Sequence, residues 1–544
     1  MAAKTTRRRR GSPGPKPDGG IRQSQMITGF GPGAMVDLVD RAVVIGGLEH
    51  WGFPYDPSVT SLDEPRLREA ILPRLKQLDP SLDLAIEDYF RRAPKCESND
   101  ARPNAGVRAL EFPGWFACQG CRRLARKNDL FEEKGDRYGH ICDSGRWNLA
   151  VPVRFVGACE AGHLADFPWV RLAHDGNKPC ERPELYLEEG ATGDASGIIV
   201  RCATCDAQQS LAKADSIPMS CGGERPWLGG RQTNDDCRNP VKLLVRTATN
   251  AYFSQVMSAL RLPEPPVDPM VERLQAPDVW KAVHKVEDAS EMKVLMKVQD
   301  IVSGAVEDAT ADEAFAAIEQ IRSQHSGVDT RPIRSAEYEL FIKAPEEQDG
   351  VLTPPGATFD AYRIPTERAR LPAGVGRLVV VPELREVRVQ LSFSRFESIS
   401  ANLQGEYDFS AGSVKPAPLT LATGNQKWLP AAEVRGEGVF IELDQDKLHA
   451  WERSAAVQER AQRLLDGFHV ENSGADFPGV RFYLLHSLAH LLMTSISLEC
   501  GYAASAIRER IYCDPSIGGE GSMAGILLST GTTGSEGTLG GLVE

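Results

Sequence analysis

Nine of the twelve cysteines in this chain fall between Cys118 and Cys237. Cys118-Gln-Gly-Cys121 and Cys202-Ala-Thr-Cys205 share the Cys-x2-Cys spacing, which sets two thiolates on one tight turn within reach of a single cation. A tetrahedral Zn²⁺ then needs two more ligands from later in the chain. Around the first pair, Cys142 is the third ligand and Cys159 or His163 the fourth, with His140 also within reach. Around the second pair, Cys221 and Cys237 follow at intervals of fifteen residues, which predicts a four-thiolate site. Cys180 stands between the two sets. A chain without an export signal belongs in a reducing compartment, where disulfides are rare. The spacing therefore predicts structural zinc, about two ions, rather than disulfides or a catalytic site with an open position.

No apolar run follows the basic stretch Arg7 to Arg10; a Gly/Pro-rich segment does. That rules out a secretory or twin-arginine signal and predicts a cytoplasmic protein with no membrane partner. The net charge of −13 excludes a protein that coats nucleic acid by itself, so any DNA contact must come from a local basic patch or a partner. The best such patch is Arg122, Arg123, Arg126 and Lys127, just after the first knuckle.

The predicted fold is α+β and multidomain, with a cysteine-rich zinc-binding region and a mixed helix/strand C-terminal domain. A disordered basic tail covers 1–20 and an α/β segment 21–112. The zinc-binding region with its two sites covers 113–260, a mainly helical segment 270–345, and the C-terminal α+β domain 346–544. Two short strands flank the turn Gly31-Pro32-Gly33, which reads as packed structure because the chain has no Gly-Lys-Ser/Thr phosphate loop. A helix over 61–78 is interrupted at Pro73. In the helical segment, Met292, Val294, Leu295, Val298, Ile301 and Val302 share one face. The stretch 428–443 reads as two strands around Gly436 and Gly438, and 445–465 as one helix. From Phe482 to Leu498 the chain is apolar on nearly every helical face, which predicts a buried helix with His486 and His490 satisfied by hydrogen bonds. A different reading makes these histidines, with a carboxylate such as Glu499, the ligands of a zinc hydrolase or nuclease. The helix lacks the His-Glu-x-x-His general base, since Ser487 takes its place.

Several stretches, taken in order, resemble the DrmB family, helicase-associated subunits of the DISARM anti-phage defence system. They are Ile21-Arg-Gln-Ser-Gln25 with Phe30-Gly-Pro-Gly33, and Pro152-Val-Arg-Phe155 with Gly162-His-Leu-Ala-Asp-Phe-Pro-Trp169. Trp428-Leu-Pro-Ala-Ala-Glu-Val-Arg-Gly-Glu-Gly438, His486-Ser-Leu-Ala-His490 and Glu536-Gly-Thr-Leu-Gly-Gly541 complete the set. The resemblance implies a non-catalytic subunit that pairs with an ATP-dependent, DrmA-like helicase as a heterodimer and meets DNA mainly through that complex. It further implies a cysteine-containing tail beyond Leu542 that is missing here, leaving Cys500 and Cys513 without partners.

Overall fold

The computed structural model describes residues 20–531, apart from 39–40, 54–59, 79, 81–88, 96–105, 136, 191–194, 230–236, 264–268, 287, 308, 327–331, 348–358, 366–369, 411–413, 421–427, 472–476, 502 and 514–522. Arg7 to Arg10, Cys96 and the glycine-rich end from 532 onward lie outside the described residues. The chain is α+β and multidomain, with clustered cysteines.

Two eight-stranded sheets carry the architecture. The first is antiparallel and carries Cys118 and Cys202 at its strand ends. Its strand order is Glu132–Lys134, Arg137–Ile141, Trp147–Pro152, Trp115–Cys118, Arg123–Arg126, Leu185–Glu189, Ile198–Cys202 and Gln208–Ser210. Trp169, Leu172, Leu187 and Val200 form its core. The second sheet is built on two long partners, Val375–Ser394 and Leu429–Leu443, with Phe253–Leu260 on one side and Ala524–Thr530 and Ile507–Cys513 on the other. It also recruits Ser61–Leu62 and Phe90–Arg92 from far upstream. Between Phe253–Leu260 and Val375–Ser394 in sequence, helices from Pro269–Gln275 through Ala311–Ser326 close over a core of their own around Leu274, Val283, Met292, Val302 and Ile318.

Several local expectations are corrected. The turn Gly31-Pro32-Gly33 follows a helix, Gln25–Thr28, and both strands come after it, Met35–Asp37 and Ala42–Ile45. It is a packed turn: a side chain on Gly33, at φ +83°, would strike the Phe393 ring at 2.4 Å. Leu62 lies in a strand, and the helix Pro65–Leu78 runs through Pro73 because Leu67, Ile71 and Leu75 bury its inner face. The stretch 429–443 is one strand, not two. Gly436 and Gly438 are there for close approach, since a Cβ at Gly436 would sit 1.7 Å from the Thr530 carbonyl oxygen on the neighbouring strand. The predicted helix over 445–465 is two, Gln445–Glu452 and Ala455–Glu471. The shared face of Met292 to Val302 breaks at Gln299, where one helix ends and the next begins. Met292 and Val302 are fully buried, while Val294, Val298 and Ile301 are exposed.

The alternating pattern of Val387 to Ser394 would ordinarily signal one dry and one wet face. Here Val387, Val389 and Leu391 enter a core, but Arg388, Gln390, Ser392 and Ser394 are buried too. Most of their polar groups find internal partners, Gln390 Oε1 excepted: Gln390 Nε2 donates to the Tyr252 hydroxyl, Gln255 Nε2 to Ser394 Oγ, and Ser392 Oγ to Gln255 Oε1. Beside them Ser254 Oγ donates to the Ile27 carbonyl, tying the N-terminal helix to the sheet at 2.6 Å.

Candidate metal centres and their surroundings

Three groups of four Cys/His side chains stand in the cysteine-rich half, among the described residues. None of their cysteines is in a disulfide. In each group the ligand atoms lie within 4.8 Å of one another. With Zn–S near 2.3 Å and Zn–N near 2.0 Å, a tetrahedral site has S–S edges of about 3.8 Å and S–N edges of about 3.6 Å.

The first group is Cys118, Cys121, His140 and Cys142. Strand pairing explains it: Ala150 lies opposite both Cys118 and Tyr138, so the turns at the ends of the three strands meet. Cys118 and Cys142 sulfurs are 3.6 Å apart, and His140 Nε2 is 3.2 Å from Cys121 Sγ and 3.4 Å from Cys142 Sγ. Gly120 N–H and Asn148 Nδ2 donate to the Cys118 and Cys142 sulfurs, stabilising negative charge there. His140 therefore completes the group that the sequence left open between three candidates.

Cys159 and His163 instead join Cys221 and Cys237. Strand Phe155–Ala158 pairs with Lys242–Val245, and Ser220 bridges Pro240, which carries both later cysteines to the end of the earlier strand. Cys159 Sγ is 3.4 Å from His163 Nδ1 and 4.0 Å from Cys237 Sγ. The Cys159 thiol is pulled down to about 4, chiefly by hydrogen bonding from Cys221, whose own thiol is pushed up. Gly162, at φ +76°, supplies the turn that points His163 back at Cys159.

Cys202 and Cys205 join His174 and Cys180. Leu185 pairs with Cys202, so the residues just before Leu185 lie beside the second knuckle. Cys180 and Cys202 sulfurs are 3.7 Å apart, and Cys205 Sγ is 3.3 Å from His174 Nε2. His174 Nδ1 is 2.7 Å from the Val170 carbonyl oxygen and donates to it, which leaves Nε2 as the ligand atom.

The expected four-thiolate set of Cys202, Cys205, Cys221 and Cys237 is thus divided between two groups. Equal spacing misled because the groups are nested: one takes ligands from both sides of the segment that builds the other. His174 and Cys180 were missed. Their signal was Cys180 itself, a ninth cysteine that two four-ligand sites left unused.

A buried cation links the nested groups to the second sheet. Arg395 is fully buried, and its guanidinium donates to the carbonyl oxygens of Gly162 at 3.1 Å, Ala251 at 2.6 Å and Gly33 at 2.8 Å. It is 4.9 Å from the Phe393 ring centre. Burial lowers its pKa to about 10, with Tyr252 and Cys159 opposing.

The basic cluster beside the first group is largely engaged. Arg123 pairs with Glu184 at 3.2 Å, Lys127 with Glu111, and Arg122 lies 4.0 Å from Glu189. Arg122 and Arg126 are its exposed members.

The helix expected at 482–498 spans Gly479–Cys500 and is not buried. Only Arg481, Leu485 and Ala489 are buried, whereas Leu491 and Leu498 are 67% and 80% exposed. One face packs on Ile507, Ile526 and Leu528, and Arg481 anchors the helix by a two-pronged pair with Glu452 at 2.7 and 2.9 Å. His486 and His490 stand half-open rather than as satisfied core histidines, with side chains 40% and 59% exposed. The carboxylate beside them is Glu509, from strand Ile507–Cys513, and Glu499 is exposed outside their group. Cys513 is core, and Cys500 is exposed at the helix end. No helix among the described residues is long and apolar enough to cross a membrane.

A family profile described as a domain of unknown function, DUF8724, matches residues 22–253, the stretch that holds all three cysteine groups. Beyond it, the chain is 29% identical over 485 residues to a protein of Bacillus paralicheniformis described as DISARM protein DrmB. That match covers 84% of this chain and 79% of the relative, and it makes the chain DrmB-like.

Proposed function

We propose that this DrmB-like chain serves a DISARM defence system against phage DNA as a non-catalytic subunit that pairs with an ATP-dependent, DrmA-like helicase. The observation that carries this reading is the likeness to a DISARM protein DrmB along 84% of the chain. Two features support it. The sequence has no phosphate loop for ATP, so motor chemistry falls to the partner. The cysteine groups each offer four ligands, which closes a metal to substrate and makes it a folding element.

Zinc is the ion that best suits these groups. Soft thiolates with imidazole in a four-ligand set match Zn²⁺, and the sulfur separations of 3.6 to 4.0 Å are near the tetrahedral edge. Cys118, Cys121, His140 and Cys142 would hold one ion, Cys159, His163, Cys221 and Cys237 a second, and His174, Cys180, Cys202 and Cys205 a third. The ions would lock turns that the small hydrophobic clusters around them cannot fix alone.

DNA contact by this chain would come from Arg122 and Arg126, held by the first knuckle, while Arg123 and Lys127 spend much of their charge on Glu184 and Glu111. Co-expression with a DrmA-like helicase tests the reading. The two chains should co-purify, and Arg122→Glu with Arg126→Glu should leave the complex assembled. The same variant should weaken DNA affinity and lower the salt slope by about one unit per lost phosphate contact. Failure to co-purify would remove the helicase pairing, and unchanged affinity and slope would reduce the arginines to a solvated turn. The rival reading, a zinc hydrolase using His486 and His490, draws support from Glu509 beside them. It requires metal-dependent hydrolysis by the chain alone.

A further inference from the structure

His486 and His490 sit one turn apart on the same helix face, with ring centres 4.5 Å apart and near-perpendicular. Glu509 reaches them from the strand beneath, its Oε1 2.7 Å from His486 Nδ1 and 3.8 Å from His490 Nε2. These separations bracket the N–O edge of about 3.4 Å expected around one transition-metal ion. The close pair is not aligned as a hydrogen bond. His486 Nδ1 and Glu509 Oε2 are both buried atoms without a hydrogen-bond partner among the described residues. Phe482 stacks on the His486 ring at 5.6 Å and fixes its plane. Two imidazoles and one carboxylate make an open set, unlike the four-ligand groups of the other half.

Glu509 also lines a cleft of about 390 Å³, together with Met493, one turn along the helix from His490. Four arginines face this cleft, Arg334, Arg388, Arg508 and Arg510, against Glu386 and Glu509. Arg388 is occupied by Glu386, and Arg510 by Glu337. Arg508 is exposed and makes no salt bridge among the described residues, whereas Arg334 Nη1 lies 3.9 Å from Glu337 without a hydrogen bond. The wall thus offers positive charge to an anion next to the three-ligand group.

We propose that His486, His490 and Glu509 hold an exchangeable divalent transition-metal ion whose open positions take a phosphate-ester oxygen from the arginine-lined cleft. This site is separate from the thiolate groups and stands whether or not the helicase pairing does.

Isothermal titration of the full chain with Zn²⁺, after dialysis against a weak chelator, tests it. Thiolate-held zinc survives that dialysis, so added zinc reports the open set. One further ion should bind to the wild type. His490→Gln, at an exposed side chain, should weaken that binding at least about tenfold, while His490→Glu, which keeps a ligand atom, should retain most of it. Methyl phosphate should tighten zinc binding several-fold in the wild type and not in Arg508→Ala. No further ion in the wild type, or equal binding by His490→Gln, would overturn the metal site. An ion whose affinity ignores methyl phosphate would overturn the phosphate assignment.

Discussion

Single side chains join distant segments of the chain. Arg395 satisfies three carbonyls from three segments. Removing it orphans those oxygens in a dry site, so Arg395→Ala should cost about 3–5 kcal/mol by urea unfolding. Arg395→Lys should not rescue, because one ammonium cannot span the three directions of a guanidinium. Glu386 makes a second residue-scale prediction. Burial alone would raise its pKa, but Arg388 and Arg510 outweigh burial and hold it down at about 2. A folded pKa below the unfolded value of 4.5 means stability that is full above pH 4.5 and lost as pH falls toward 2. Glu386→Gln should therefore lower the urea midpoint at pH 7 and shrink the difference between pH 7 and pH 3. An unchanged pH profile would show that the cluster of Arg388, Arg510 and Glu386 does not couple charge to folding. Neither residue was legible in the sequence. An arginine after a strand reads as solvent-facing, and only the fold shows that Arg395 meets Gly33 and Gly162 across hundreds of residues.

At the scale of elements, strand register decides which cysteines meet. The Cys-x2-Cys turns were legible because two thiolates three residues apart need nothing but a tight turn. The sharing of the remaining ligands was not, because it depends on Phe155–Ala158 pairing with Lys242–Val245 across an intervening hairpin. This separates two accounts experimentally. If Cys180 were a bystander, Cys180→Ser would be silent. In the nested arrangement it should release one zinc ion, lower the melting temperature, and leave the ion held by Cys159 and Cys221 in place. The exposed apolar helix was misread for a related reason. Hydrophobicity on every face predicts burial in water, yet only the face around Leu485 and Ala489 is covered, and Leu491 and Leu498 remain open. Composition cannot say which face the sheet takes.

In the whole molecule, the second sheet meets two small three-stranded sheets, one containing Ala42–Ile45 and the other Phe155–Ala158, around the turn Gly31-Pro32-Gly33, Trp227 and Phe393, a core that draws on residues from Met26 to Leu419. The α+β character and the clustering of cysteines in one half followed from the sequence. The interleaving did not, since short strands near Phe90 and Phe253 join a sheet made mostly of residues beyond 360. A chain with net charge −13 should bind DNA weakly by itself, and with a helicase partner its affinity should rise and fall steeply with salt. Three closed Cys/His groups, two of them nested in sequence, are proposed to hold the cysteine-rich half together as zinc sites. Zinc per chain, measured by elemental mass spectrometry after dialysis against a weak chelator, tests it most directly. The account predicts three ions in the wild type and two in Cys180→Ser. Two ions in the wild type, unchanged in Cys180→Ser, would contradict it.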